Sequence, residues 1–170
     1  MEAHYVVDAA DRIDSFVTDA FPEPTDASQT WTGRSLWSVV SGDATRQIYR
    51  QLLRRVRLDR SAVSFRYRCD LAHQRRWFEM LLRGMEGDRV EFCSRLLSTS
   101  ARPPISWLES VTGYGPAIVL CSWCGEVLHE GEWREIEQVV PDVPDSARVE
   151  HGICPTCATK FMAQFGESQK

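Results

Sequence analysis

Two pairs of cysteines in this chain stand at a spacing that metal sites use: Cys121-Ser-Trp-Cys124 and Cys154-Pro-Thr-Cys157, with 29 residues between the pairs. A C-x2-C pair folds into a tight knuckle that presents two sulfurs on one side, and two knuckles complete a tetrahedron. In a reducing compartment this donor set suits Zn2+, at Zn–S distances of about 2.3 Å. Four thiolates fill the coordination sphere and leave no position for water or substrate. The zinc expected at Cys121, Cys124, Cys154 and Cys157 is therefore structural rather than catalytic. Gly125, directly after the first pair, suits the turn of backbone amides back toward sulfur. A C-terminal segment with few apolar residues needs such a staple to fold. The competing chemistry is redox: a dithiol of lowered pKa, or oxidation of zinc thiolates with ejection of the metal. Neither pair opens a helix after a strand in a thioredoxin-like pattern. His129 and His151 could replace a cysteine as ligand, but four cysteines already suffice.

The remaining reactive side chains suggest less. Cys69 and Cys93 fall in expected strands and read as core thiols. His73 lies in a turn and is expected to be exposed. The chain has no G-x-S-x-G elbow, Walker loop, G-x-G-x-x-G or H-E-x-x-H, so no catalytic residue is assigned and no enzymatic activity is expected. The acids from Glu130 to Glu137 read as a solvated helix face.

These residues must be positioned by a chain of 170 residues, 43% apolar and 26% charged, with six Trp, seven Phe and four Tyr. That is too aromatic for a disordered chain, and the length suits one domain or two small ones. The acidic N-terminus lacks the regions of a signal peptide, and six cysteines are too few for a disulfide-dense miniprotein, so a cytoplasmic location with reduced thiols is expected. No apolar run reaches the roughly 18–20 residues of a membrane span, and no membrane association is expected. The net charge of -4 is segregated: residues 1–45 carry -6, 46–95 carry +7, and 121–170 carry -5. A basic middle can be read as a phosphate-binding face. Its arginines, however, alternate with apolar residues as solvated faces do, and the acidic flanks offer partners within the chain.

The most regular stretch is Val63-Ser-Phe-Arg-Tyr-Arg-Cys69, whose alternation predicts a half-buried antiparallel strand with Arg66, Arg68 and Asp70 facing out. Strands over 75–82 and 89–97, joined by a turn at Gly84 to Asp88, complete a meander. Asp43 can cap a helix over 44–58 with Ile48, Tyr49, Leu52, Leu53 and Val56 as its apolar stripe, and with late arginines that suit the helix dipole. His4 to Val7 and Arg12 to Val17 flank a hairpin turn at Asp8-Ala-Ala-Asp11. Residues 98–116, rich in Ser, Pro and Gly, read as a linker. Beyond it a strand over 117–120, a helix over 132–140 carrying Trp133, Ile136 and Val140, and a helix over 157–165 are expected.

Several of these runs resemble a bacterial PAS-like sensory domain family: Gly33-Arg-Ser-Leu-Trp37, the helix with Thr45-Arg46 and Tyr49, Phe65-Arg-Tyr-Arg-Cys-Asp70 with Arg75-Arg76, and Val90-Glu-Phe-Cys-Ser94. Cys121-Ser-Trp-Cys124 with Trp133, and His151-Gly-Ile-Cys-Pro-Thr-Cys157, resemble the small cysteine-rich module that follows PAS-like or response-regulator domains in bacterial signalling proteins. The resemblance implies an α+β fold: a PAS-like five-stranded antiparallel sheet with helices on one face, over residues 1–97, and a linker over 98–116. A small zinc-ribbon-like module over 117–166, with its four cysteines as ligands, and a tail over 167–170 follow. The resemblance supplies no ligand for the sheet domain. The helix over 43–58 has no His to hold haem in the manner of haem PAS domains, and the flavin motif of light-sensing relatives is absent. The stretch Phe21-Pro-Glu-Pro-Thr-Asp-Ala-Ser-Gln-Thr-Trp31 departs from the family pattern where short helices would cover a cavity, so any pocket is reduced or open.

The leading expectation is a non-enzymatic cytosolic signalling or regulatory protein that works through protein association, with itself or a partner, and carries a structural zinc site. A thiol/zinc redox sensor is a second reading and a nucleic-acid-binding regulator a third. The charge of the zinc segment, -5 before metal, opposes nucleic acid.

Overall fold

A computed structural model describes residues 2–19, 31–108 and 114–165. The fold is α+β, with a five-stranded antiparallel sheet, a second sheet of four strands, and few helices. The chain divides into two compact units. One comprises Met1–Ser41, Arg46–Arg66 and Trp77–Ser98, the other Gly42–Thr45, Tyr67–Arg76 and Thr99–Lys170.

The larger sheet has the order β2-β1-β5-β4-β3, formed by β1 (Glu2–Val7), β2 (Ile13–Thr18), β3 (Val63–Arg68), β4 (Gln74–Gly84) and β5 (Val90–Ala101). The Asp8 to Asp11 turn closes as the sequence predicts, because Asp8 Oδ1 accepts from the amides of Ala10 and Arg12, both at 2.8 Å. Between β2 and β3 lie α1 (Leu36–Val39) and α2 (Asp43–Asp59). The expected stripe of α2 is inside: Ile48, Leu52, Leu53 and Val56 are all buried. Each fully buried aliphatic side chain contributes about 1.5–3 kcal/mol, well above the few tenths that separate helix propensities, so packing holds α2 in place. Tyr49 makes the contact visible: its ring meets Phe65 edge-on and stacks on Phe92, both at 6.3 Å, and Tyr5 stacks on Phe92 at 4.6 Å. Helix and three strands thus share one aromatic layer. Among the described residues no helix is long and apolar enough to cross a membrane.

In the second unit the smaller sheet runs β8-β7-β6-β9, from β6 (Ala117–Cys121), β7 (Val127–His129), β8 (Glu132–Arg134) and β9 (Arg148–Gly152). Strands β6 and β9 are parallel, and the others pair antiparallel. The expected helix over 132–140 is instead β8 followed by the short α3 (Ile136–Val139). Glu130 and Gly131 both have positive φ, 50° and 83°, and join β7 to β8 with His129 opposite Glu132. That is a two-residue hairpin turn, and it places Trp133 on a strand opposite Leu128. The chain ends its described part with α4 (Pro155–Phe165).

Within the stretch read as linker, residues 98–101 are the exposed end of β5, and Ile105 and Trp107 belong to the core of this unit. Ile105 and Trp107 are each 1% exposed and pack with Ile118, Val127, Ile136 and Val139. The Pro-Pro pair and scattered polar residues conceal the burial, because a short 3-10 turn at Ser106–Leu108 has no periodicity to read. Gly113 and the 167–170 tail lie outside the described residues, as does all but the end of the Phe21 to Trp31 stretch.

Candidate metal centre

The parallel pairing of β6 with β9 closes the gap between the two C-x2-C motifs. Cys121 is the last residue of β6 and stands opposite Gly152, the last of β9, and the Ser122 amide donates to the Gly152 carbonyl at 3.0 Å. Both strands therefore release their knuckles at the same end of the sheet. The first knuckle turns sharply, the Gly125 amide donating to the Cys121 carbonyl at 3.0 Å and the Cys121 amide to the Glu126 carbonyl at 2.8 Å. Gly125 has φ 72°, and a Cβ there would lie 2.9 Å from Arg68 Nε. Only glycine meets both conditions without strain.

Contrary to the sequence expectation that neither pair opens a helix after a strand, the second knuckle follows β9 and is the start of a helix. Cys154 precedes α4, Pro155 takes the first helical position, and the Cys157 amide donates to Cys154 Sγ at 3.4 Å. Sulfur here acts as an N-cap. The Cys154 amide also donates to Cys121 Sγ at 3.3 Å.

The four Sγ atoms lie within 4.8 Å of one another, and Cys124 and Cys154 are 3.7 Å apart. A tetrahedron with Zn–S bonds of about 2.3 Å has edges of about 3.8 Å, so the cluster has the size that one metal ion requires. None of the six cysteines is in a disulfide. Hydrogen bonds from Cys124 and Cys157 hold the Cys121 thiol well below its ordinary pKa. The hydrogen bond to Cys121 pushes Cys124 up, and Cys157 up to about 12. Cys121 and Cys154 are buried while Cys124 and Cys157 are partly exposed. The structure thus brings together all four residues expected from the sequence and leaves Cys69 and Cys93 outside. Those two are half-buried rather than core, with the Cys69 thiol pushed up by burial against the nearby Arg76. His73 is exposed, as expected.

A charged network supports the first knuckle, and the alternation of β3 misassigns it. Arg68, expected on a solvated face, is 2% exposed at its side chain, as is Arg102, and Asp70 is 5% exposed. The Arg68 guanidinium pairs with Asp70 and donates to Glu135 Oε2 at 3.0 Å. Arg102 bonds Asp70 at 3.1 Å and the Leu71 carbonyl at 2.6 Å, and Arg75 pairs with Glu137 at 2.8 Å. Arg76 is also buried, with Nε on the Cys69 carbonyl at 2.8 Å. Glu135 and Glu137 are thus partners for arginines rather than a solvated helix face. Desolvation works against the charge of Arg68, but hydrogen bonds and charge from Asp70 and Glu135 hold it more firmly protonated than usual. Burial lowers Arg102, against the pull of Asp70 and Glu137.

The Arg68 amide donates to the carbonyl of Trp123, between the two cysteines of the first knuckle, at 2.9 Å. The guanidinium packs on Gly125. Backbone and side chain of Arg68 together therefore brace the turn that presents Cys121 and Cys124. Thr45, 4% exposed, adds a hydroxyl contact to Ser122 at 3.0 Å. No sequence signal marks these partners, because the Arg68 to Glu135 pair spans 67 positions. On the other side of the first knuckle Trp123 meets Phe161 of α4 edge-on at 6.2 Å. No family model matches this chain, and neither a curated protein nor a solved structure matches it.

Proposed function

We propose that the chain is a non-enzymatic regulatory protein of the PAS-like type that acts by protein association, and that a structural zinc ion at Cys121, Cys124, Cys154 and Cys157 holds its C-terminal part. The observation that carries the zinc assignment is the all-cysteine donor set, four sulfurs within 4.8 Å of one another at the ends of two parallel strands. Thiolates select zinc over the hard cations, and four of them close the sphere to substrate. The PAS-like assignment draws support from the five-stranded antiparallel sheet and from a helix between β2 and β3 whose apolar stripe is buried. Elemental analysis with an absorption spectrum of the purified protein tests this, and one zinc per chain without haem or flavin bands is expected. Zinc well below one per chain would overturn the metal assignment. Sedimentation across a concentration range, alone and with captured partners, tests association; a chain that stays monomeric and binds no protein would overturn that part.

A redox role has one specific observation in its favour. Cys124 and Cys157 are partly exposed, and Cys124 lies 3.7 Å from Cys154, so an oxidant can reach sulfurs that are already neighbours. Mild peroxide should then release zinc and change the sedimentation coefficient; unchanged metal content and mass would dismiss it.

A further inference from the structure

The first unit carries a groove of about 280 Å³ along the exposed side of α2. Arg50, Arg54 and Arg57, at helical positions i, i+4 and i+7, line it together with Trp37, and Leu53 forms part of its floor. Among the described residues Asp11 is the one acid that lines it, and both its carboxylate oxygens are engaged. Oδ1 accepts from Arg57 Nη2 at 2.8 Å, and Oδ2 accepts from the Trp37 indole at 2.9 Å. Arg57 is fixed further by the carbonyls of Asp8 and Asp88, each at 2.9 Å. The Arg50 guanidinium lies over the Trp37 ring at 4.7 Å. The described lining is therefore cationic on balance, and Arg50, Arg57 and Trp37 are held in place before any ligand arrives, which lowers the entropy lost on binding. At one end stands Leu58, 70% exposed, an apolar side chain beside a row of arginines.

We propose that this groove binds a carboxylate-rich peptide segment of a protein partner, with an apolar side chain of that segment resting against Leu58. Arginines one helical turn apart suit carboxylates spaced along a peptide, and a guanidinium stacked on an aromatic face keeps its edge for bidentate hydrogen bonds. Among the described residues no glycine-rich loop lines the groove, and its Arg side chains project from the side of a helix rather than its N-terminus, unlike the parts of a phosphate site. The exposed leucine adds a requirement that a simple anion would not meet.

The proposal rests on the association function above and names its partner chemistry. Its test reads the groove alone, whereas zinc content and sedimentation read that function. A fluorescein-labelled EELEEL peptide is titrated with the full-length zinc-loaded chain at low salt, followed by anisotropy. Saturable binding is expected, at least tenfold weaker in Arg50→Glu and in Leu58→Asp and unchanged in Arg66→Glu. Arg66 is an exposed arginine of β3 outside the groove, so its variant makes the same charge change elsewhere. Thermal melting confirms that each variant is folded. Equal weakening in Arg66→Glu would reduce the effect to net charge and overturn the proposal. So would inorganic phosphate or a DNA duplex displacing the peptide at equal or lower concentration, or a peptide affinity indifferent to Leu58.

Discussion

Arg68 shows how one side chain can serve two structures at once. Its backbone amide holds the first knuckle and its guanidinium holds Asp70 and Glu135, with 2% of the side chain exposed. Removing one partner of a buried ion pair leaves the other charged and desolvated, a loss of about 3–5 kcal/mol. Arg68→Met should therefore destabilise the second unit by that order in urea unfolding and weaken zinc retention against a chelator. Lysine should not rescue it, because an ammonium cannot reproduce the fork that spans two carboxylates. Gly125→Ala should have a similar effect on zinc retention through the opposite fault, adding a Cβ at φ 72° where Arg68 Nε stands 2.9 Å away. Zinc retention equal to wild type in both variants would remove Arg68 from the support of the knuckle. The proposed ligands are simpler to test: Cys124→Ser or Cys154→Ser should lower bound zinc in elemental analysis, and full stoichiometry in either would discard that cysteine as a ligand.

At the scale of elements, the unit that carries the four cysteines is longer than their motifs suggest. Ile105 and Trp107 complete the apolar cluster, and Arg68, Asp70, Arg75 and Arg102 supply the charged one. A fragment of residues 117–166 lacks both. It should show no cooperative unfolding even with zinc, and Trp107→Ala in the full chain should cost about 3–5 kcal/mol. A sharp zinc-dependent transition in that fragment would show that the knuckles and β6 to β9 suffice. The sequence makes α2, the meander strands and the clustering of the four cysteines legible because each follows a local rule: a 3.6 period, an alternation, or a C-x2-C spacing. It conceals Trp107 and Arg102, which sit in aperiodic chain, and Glu135, whose partner is distant in sequence. The β7–β8 hairpin was readable in principle from Glu130-Gly131, but Trp133, Ile136 and Val140 also satisfy a helical period. Short apolar spacings do not distinguish a strand and a turn of helix from one longer helix.

At the scale of the whole molecule, the segregated charge that composition alone left unexplained acquires a purpose in the second unit. Arginines from the middle of the chain, Arg68 and Arg75, meet acids from the acidic C-terminal stretch, Glu135 and Glu137. Acid should therefore loosen this unit, and Glu137 permits the sign to be worked out. Its hydrogen bond from Arg75 holds the folded carboxyl below its ordinary value of 4.5. A group depressed on folding stabilises fully above its unfolded pKa, and that contribution disappears as pH falls through the folded value. Protonation of the cysteines would also release a bound zinc ion in acid, but that term is common to wild type and variant and cancels between them. Glu137→Gln should thus be less stable than wild type by about 1 kcal/mol at pH 7, the pair being partly exposed. The gap in urea midpoint between the two proteins should stay constant down to about pH 5 and close below about pH 4.5. A gap that persists unchanged at about pH 3.5 would mean that the glutamine disturbs packing rather than charge, and that the Arg75 pair contributes nothing to the acid response.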